Sequence, residues 1–203
     1  MPTTKPAPSE KPVPSARQQE LLERAYAYSL THGLADLSLR PLATAIGSSP
    51  RVLLFLFGSK DGLIRALLAR ARVDELELLR QLDAQYDEPP GLTVVARELW
   101  TWLAAPGRRP LMKFWVEAYG RSLVAPEGPW ADYGRSTVDD WLDLLKASQP
   151  DPGTAEAEAR RTAVLAMLRG ALLDLLATGD LERTTRAVED YLGESRTTSD
   201  SAT

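Results

Sequence analysis

The sequence predicts an all-α protein, with a short three-helix unit near the N-terminus and a larger helical body behind it. Apolar residues recur at intervals of three and four through long stretches of Leu, Ala, Glu and Arg, as they do along one face of a helix. No run alternates between polar and apolar residues for long enough to indicate a sheet. With 203 residues, of which 44% are hydrophobic, the chain is long enough to bury a sizeable core.

Composition excludes several classes of protein. The chain has no cysteine, which excludes disulfides and thiolate chemistry. Its one histidine, His32, makes a histidine-built metal site implausible, and no P-loop, HExxH or glycine-rich dinucleotide motif is present. We therefore expect neither an enzyme nor a cofactor. No apolar run approaches the roughly 20 residues that span a bilayer, and the N-terminus lacks a secretion signal, so we expect no membrane contact and a cytoplasmic location.

The first helix is predicted over residues 16–32. Gly33 fits the position just after a helix end, where a positive φ is needed, and His32 suits the last turn as a cation. Residues 1–15, which are rich in proline and small polar residues, predict a disordered arm. Residues 195–203 predict a disordered tail for the same reason.

Two short helices follow, in the stretch "SLRPLATAIGSSPRVLLFLFG". Ser38 is a suitable N-cap for the first, which ends at Gly47. Another cap, Ser49, comes almost at once and precedes Pro50, a residue favoured at the first helical position. Gly58 then ends the second helix. Two short helices joined by a tight turn with glycine form a helix-turn-helix.

The remainder is predicted to be one long helix and five further ones. The long helix begins after Ser59 and continues to about residue 82, where "YDEPPGL" is a clear break. Proline- and glycine-rich punctuation separates the others, which are predicted over residues 92–104, 109–123, 130–147, 155–177 and 181–192.

Three stretches resemble the TetR family of bacterial transcriptional regulators: "HGLADLSLRPLATAIGSS", "SPRVLLFLFGSKDGLIRAL" and "RGALLDLLATGDLERTTRAVEDYL". Gly47, Leu53, Phe57, Lys60 and Leu63 stand where the family's pattern has them. The resemblance implies a helix-turn-helix DNA-binding domain over residues 16–70, including the start of the linker helix. It also implies a helical domain for ligand binding and dimerisation over residues 71–194.

The sequence departs from the family's pattern at two positions of the recognition helix. Leu54 stands where the family usually has Tyr, and Leu56 where it usually has His. An apolar side chain in the major groove has one specific target, the thymine methyl group. We therefore expect an apolar reading face beside Arg51, which is the candidate for reading guanine because it lies near the start of the helix.

Charge supports contact with double-stranded DNA. Between residues 16 and 72 eight cations stand against four anions, although the whole chain has a net charge of −4. The basic segment is thus followed by an acidic body. The predicted DNA-binding residues are Arg40, Thr44, Ser49, Pro50, Arg51, Leu54, Phe55, Leu56 and Lys60.

Aromatic residues of the body are candidates for a small-molecule site. All five tryptophans lie there, and aromatic side chains between helices can line a cavity. Nearby charges, such as Lys113, Glu117 and Arg121, are candidates to orient a ligand, whereas the alternative is that the aromatic residues are simply core. The predicted ligand-binding residues are Trp100, Phe114, Trp115, Tyr119, Trp130 and Trp141.

A leucine stripe on the penultimate helix resembles the family's dimer interface, a four-helix bundle with two helices from each subunit. The predicted interface residues are Leu165, Leu168, Leu172, Leu175 and Leu176; the alternative is that this stripe packs within its own chain. A two-fold dimer would present two recognition helices about 34–36 Å apart to a near-palindromic operator.

These observations predict a dimeric, sequence-specific transcriptional regulator, a repressor that a small apolar or aromatic ligand would release. The alternative is a helical protein-interaction module that has lost specific DNA binding, for which the two leucines in place of polar residues are the main support.

Overall fold

The computed structural model describes residues 15–34, 37–84, 86 and 88–200, without the side chains of residues 82, 83 and 194–200. Every regular element in that part of the chain is helical, which confirms the predicted fold class. The predicted arm lies outside it except for Ser15. The α-helices are α1 Ala16–His32, α2 Leu39–Ala45, α3 Pro50–Phe57, α4 Lys60–Asp83, α5 Leu92–Ala104, α6 Arg109–Val124, α7 Tyr133–Ala147, α8 Ala155–Thr178 and α9 Leu181–Asp200, with 3-10 turns at Pro106–Arg108 and Gly128–Trp130.

Helix α3 owes its short, fixed length to residues at its two ends. The Ser49 hydroxyl accepts a hydrogen bond from the Val52 N–H at 3.3 Å, and Pro50 occupies the first helical position. Gly58 has a φ of 77°, and its N–H donates to the Leu54 carbonyl at 2.8 Å. The helix therefore stops after eight residues, as its sequence predicts.

Two boundaries differ from the prediction. Helix α7 begins at Tyr133 rather than residue 130, because Gly128–Trp130 forms a 3-10 turn and Asp132 has a left-handed φ of 60°. Helix α9 continues to Asp200 rather than ending at residue 192, and the disorder of the tail from residue 195 stays a prediction. No proline interrupts the polar sequence beyond residue 192, and a helix can therefore continue there. Residues 201–203 lie outside the described part.

The N-terminal helices enclose their own core. Leu21, Leu42, Leu53 and Leu63, from four successive helices, are each at most 1% exposed. Helix α4 then continues out of this unit and packs on α7 of the body. The first three helices and the start of α4 are called the head below, and α5 to α9 with the rest of α4 are called the body.

Contacts between α1 and α6 join the head to the body. The rings of Tyr26 and Phe114 are nearly perpendicular, with ring centroids 5.7 Å apart. The Leu34 N–H donates to a carboxylate oxygen of Glu117 at 2.8 Å. Tyr26 also donates its hydroxyl hydrogen to Asp74 of α4 at 2.9 Å, so three helices meet at this seam. None of the described helices has the length and apolarity needed to cross a membrane.

Candidate DNA interface and buried cavity

The outer surface of α3 combines one cation with large apolar side chains. Leu53 points into the core, and Arg51, Val52, Leu54 and Phe55 are exposed. Successive residues turn by about 100°, so these four side chains lie on the side of the helix opposite Leu53. Phe55 is 85% exposed and Leu54 42% exposed. We call this set the α3 surface.

Leu56 does not belong to the α3 surface. It is half-buried and packs against the core, and its carbonyl accepts a hydrogen bond from the Gln18 side chain at 3.0 Å. The reason is rotation: Leu56 precedes Phe57, whose side chain also packs inward, and follows Leu53 by three residues. Its predicted contact with DNA stays a prediction, and it has less exposed surface to offer than Leu54 or Phe55.

The other predicted DNA-binding residues surround the α3 surface. Arg40 and Thr44 on α2 are exposed, as are Ser49 and Lys60 at the starts of α3 and α4, and Pro50 is half-buried. The hydroxyl of Ser49 serves as the N-cap acceptor.

Cations of the head fall into two groups. Arg40, Arg51 and Lys60 form no hydrogen bond or ion pair with the described residues, so their charges point to solvent. In contrast, Arg17 and Arg24 both pair with Glu20, at 2.6 and 2.7 Å. A guanidinium without an internal partner keeps all its donors available for guanine or phosphate, and the apolar part of the surface suits thymine methyl groups.

The body contains a cavity of about 120 Å³ between α5, α6, α7 and α8. Its walls are mainly aromatic and aliphatic. Trp115 contacts two other tryptophans. Its ring is stacked on Trp102 with centroids 5.5 Å apart and meets Trp141 edge-on with centroids 6.2 Å apart. The lining residues are Leu103, Trp115, Val116, Tyr119, Tyr133, Thr137, Trp141, Leu165, Leu168, Arg169, Leu172 and Leu173.

Half of the predicted ligand-binding residues lie at this cavity. Trp115, Tyr119 and Trp141 line it. The other three, Trp100, Phe114 and Trp130, do not.

Each of these three aromatic residues has another structural role. Trp100 is buried and donates its indole N–H to Thr185 of α9 at 3.0 Å. Phe114 faces the head, where it contacts Tyr26. Trp130 packs half-buried against the core from a 3-10 turn.

The polar residues of the cavity differ from those expected. Arg121 and Lys113 are exposed, and Glu117 binds the head. Instead Arg169 of α8 lines the cavity: its guanidinium lies 4.9 Å from the centre of the Tyr119 ring and donates to the Tyr119 hydroxyl at 3.3 Å. Tyr133 also lines it, and burial raises the pKa of its hydroxyl.

A buried carboxyl lies behind the cavity wall. Glu75 of α4 is 1% exposed and accepts a hydrogen bond from the indole N–H of Trp141. Burial raises its pKa to about 7, although the hydrogen bond from Trp141 favours the charged form. Glu75 thus connects the helix that leads to the head with a tryptophan that lines the cavity.

The predicted dimer-interface leucines lie in the chain's own core. Leu165, Leu168, Leu172 and Leu175 are buried, and Leu176 packs half-buried against the same core. Three of them line the cavity. A side chain already covered by its own chain offers little surface to a second subunit. In the single chain these leucines are core, the alternative that the sequence left open, and their place in a dimer contact stays a prediction.

The opposite side of α8 carries an exposed stripe of small and apolar residues. A Cβ atom added at Gly170 would meet nothing within 4 Å, so the stripe is open in the single chain. Leu173 is 51% exposed, and it also lines the cavity. The residues of this α8 stripe are Ala159, Ala163, Ala166, Gly170, Leu173 and Ala177.

Comparison with known proteins identifies the fold. No family model matches the sequence, and no curated protein matches it. Solved structures do match. A transcriptional regulator from Rhodococcus sp. Rha1 is 22% identical, with a TM-score of 0.71 over 87% of this chain and 94% of the other. A TetR transcription regulator from Haloarcula marismortui ATCC 43049 is 19% identical, with a TM-score of 0.68 over 88% and 97%.

A third similar structure holds a small molecule. It is the multidrug binding protein EbrR complexed with proflavin, which is 21% identical, with a TM-score of 0.60 over 86% of this chain and 98% of the other. Together these similarities show that the chain has the fold of TetR-family transcriptional regulators.

Proposed function

Starting from this TetR-family fold, we propose that the protein is a sequence-specific DNA-binding regulator of transcription that acts as a dimer. The observation that carries the proposal is the α3 surface, where the unpaired Arg51 stands among exposed apolar side chains on the second helix of a helix-turn-helix. A helix presented in this way fits the major groove. The proposal places the protein in the cytoplasm, with the DNA that it regulates.

Two groups of residues would contact the DNA, one the bases and the other the phosphates. Arg51, in the first turn of α3, would donate two hydrogen bonds to guanine, and Leu54 and Phe55 would contact thymine methyl groups. Arg40 and Lys60 flank α3 and would bind phosphates. Only the first group discriminates between sequences, because phosphates are the same at every base pair.

We propose that two subunits join through the α8 stripe. Small residues allow two helices to approach closely, and the stripe lies on the open side of α8, opposite Leu165, Leu168 and Leu172. A two-fold dimer presents the same surface twice, so the DNA target would be near-palindromic. Leu173 would then lie at the dimer contact and at the cavity wall together.

A ligand in the cavity would act on the head through α6 and α4. Helix α6 carries Trp115 at the cavity and, within the same turn, Phe114 and Glu117 at the contact with α1 and the residues that follow it. Helix α4 carries Glu75, bonded to Trp141. A ligand that shifts these helices would change the separation of the two heads and release the operator, to the extent that it prefers the non-binding state. We therefore propose a repressor that its ligand releases.

Selection from random double-stranded DNA tests the proposal, because it needs no knowledge of the regulated genes. The full chain is incubated with a random duplex library, and the bound fragments are amplified. The affinity for the enriched sequences is then measured by fluorescence anisotropy and compared with that for a scrambled duplex. We expect a near-palindrome with half-sites about 10–10.5 base pairs apart. Retention of DNA without any sequence preference would overturn it.

The alternative of a protein-interaction module has one specific observation in its favour. Phe55 is 85% exposed, and an exposed apolar cluster commonly marks a protein contact. The same selection separates the two functions: a module of this kind would enrich no sequence, whereas a DNA reader would.

A further inference from the structure

The polar atoms of the cavity wall are hydrogen-bond donors without partners. The buried Trp115 Nε1 and Arg169 Nη2 have no hydrogen-bond partner among the described residues, and the hydroxyls of Tyr133 and Thr137 have none besides each other. All four residues line the cavity, and Trp115 and Tyr133 are more than nine-tenths buried. Trp and Arg side chains only donate, and hydroxyls can donate as well as accept. The wall is therefore suited to a ligand group that accepts several hydrogen bonds.

The charge of the cavity wall is positive. Arg169 has no carboxylate within ion-pair distance among the described residues, and the side chain that it bonds is the Tyr119 hydroxyl. The nearby cation Arg72 is compensated, since it pairs with Asp140 at 2.7 Å. An arginine in an apolar wall favours an anion, because the low dielectric strengthens the attraction.

We propose that the cavity binds a small carboxylate whose apolar part is about the size of one aromatic ring. The carboxylate would accept hydrogen bonds from Arg169 and Trp115, and the apolar part would pack between the rings of Trp141 and Tyr119. This inference rests on the proposed function, since it names the chemical class of the ligand that releases the head.

Cavity volume sets the size of the ligand. The cavity measures about 120 Å³, less than the roughly 150 Å³ that holds benzene. It is open at Leu173, which is 51% exposed, so a ring-sized ligand would extend to that edge. Apart from the four donors and the Tyr119 hydroxyl, which Arg169 already bonds, the wall is apolar, and this leaves room for one charged end and no second polar group. A neutral amide would leave the guanidinium without a counter-charge, and an ammonium would be repelled by it.

Glu75 makes the binding of an anion dependent on pH. It lies behind Trp141, with Asp140, Arg72, Arg169 and Tyr133 as the other charged or titratable groups that act on it. Its pKa is about 7, so it is neutral below that pH and negative above it. Ionised Glu75 would compensate Arg169 and oppose a second carboxylate. Affinity for a carboxylate should therefore fall as the pH rises through about 7.

The test uses the full chain, with calorimetry as the measurement and no DNA present. Two sets of probes share a skeleton and differ in one group: benzoate, benzamide and benzylamine, and the six-carbon hexanoate, hexanamide and hexylamine. We expect at least one carboxylate to bind about tenfold or more tightly than its amide, because hydrogen bonds to charged groups are the stronger ones. No binding by the amine is expected.

Variants tie the binding to the cavity. Arg169→Gln should lower the affinity for the carboxylate by about tenfold or more. Arg160→Gln, the same change on the exposed side of α8, should leave this affinity unchanged. Glu75→Gln should remove the pH dependence. If Arg169→Gln fails to fold, Arg169→Lys and the comparison of carboxylate with amide still test whether the cavity binds the carboxylate.

Three results would overturn the inference: equal binding of amide and carboxylate, carboxylate binding that Arg169→Gln does not affect, or no binding by any probe. The proposed function stands apart from all three, since the DNA selection is carried out without a ligand.

Discussion

The α3 surface and the cavity contain the same kinds of side chain in opposite arrangements. At α3 an arginine stands in solvent beside exposed Leu54 and Phe55, and in the cavity Arg169 stands among buried Trp115 and Trp141. A solvated charge keeps its hydration until a large partner displaces the water, whereas a charge in an apolar wall prefers a small counter-ion. One site is therefore suited to a macromolecule and the other to a small anion.

The difference between the α3 surface and the cavity depends on which face of each helix is exposed. The largest effect is expected for a substitution on the exposed face of α8. Ala166→Glu would place two like charges, one from each subunit, at the centre of the proposed dimer contact. A buried unpaired charge costs several kcal/mol, so we expect a monomer by analytical ultracentrifugation. Arg160→Gln, an equal change in charge about a third of a turn around the helix from Ala166, should remain dimeric. A dimer in both variants would show that the stripe is not the interface.

The two sides of α3 should respond in opposite ways to truncation. Leu53→Ala removes a side chain that is 1% exposed and should lower the free energy of unfolding by about 2–5 kcal/mol in urea titrations. Phe55→Ala should stay within about 0.5 kcal/mol of the wild type and yet weaken operator binding. An equal loss of unfolding free energy in Leu53→Ala and Phe55→Ala would mean that the Phe55 side chain packs in the core.

Glu75 gives the body a pH dependence close to neutrality. Its pKa is about 7 in the fold against an ordinary value of 4.5, so the folded chain holds a proton that the unfolded chain has lost between these values. Stability is therefore full below about pH 4.5 and falls as the pH rises through about 7, by about 3 kcal/mol in all. Urea titrations at several pH values should show this slope.

Substitution isolates the contribution of Glu75. Glu75→Gln keeps the acceptor for Trp141 and should flatten the slope, whereas Glu77→Gln on the exposed side of α4 should leave it in place. Identical slopes in the wild type and Glu75→Gln would assign the pH dependence to other groups.

The elements of the head could be predicted from sequence because their ends carry local signals. Ser49, Pro50 and Gly58 fix α3 through a hydroxyl acceptor, a preset φ and a positive φ, all of which are properties of single residues. The end of α9 has no such signal: Gly193 lies inside the helix and no proline follows. Its extension to Asp200 was therefore missed.

The body's sites depend on contacts between distant residues, and the sequence predicts these less well. A leucine stripe indicates that one side of α8 is buried, but the same stripe would serve an interface or a core. Phe114 and Trp115 are neighbours in sequence and face the head and the cavity, respectively. Arg169 gives no signal at all, because an arginine in a helix is ordinarily solvated.

Arg51 is proposed to discriminate between base sequences, whereas the surrounding cations bind phosphates of any sequence. The most direct measurement is anisotropy of the wild type, Arg51→Ala and Lys60→Ala on the selected operator and on a scrambled duplex, at about 50 and 200 mM salt. Arg51→Ala should lose about 1–3 kcal/mol of discrimination per half-site, and Lys60→Ala should weaken both duplexes alike and reduce the salt dependence. An unchanged ratio of affinities in Arg51→Ala would contradict the account.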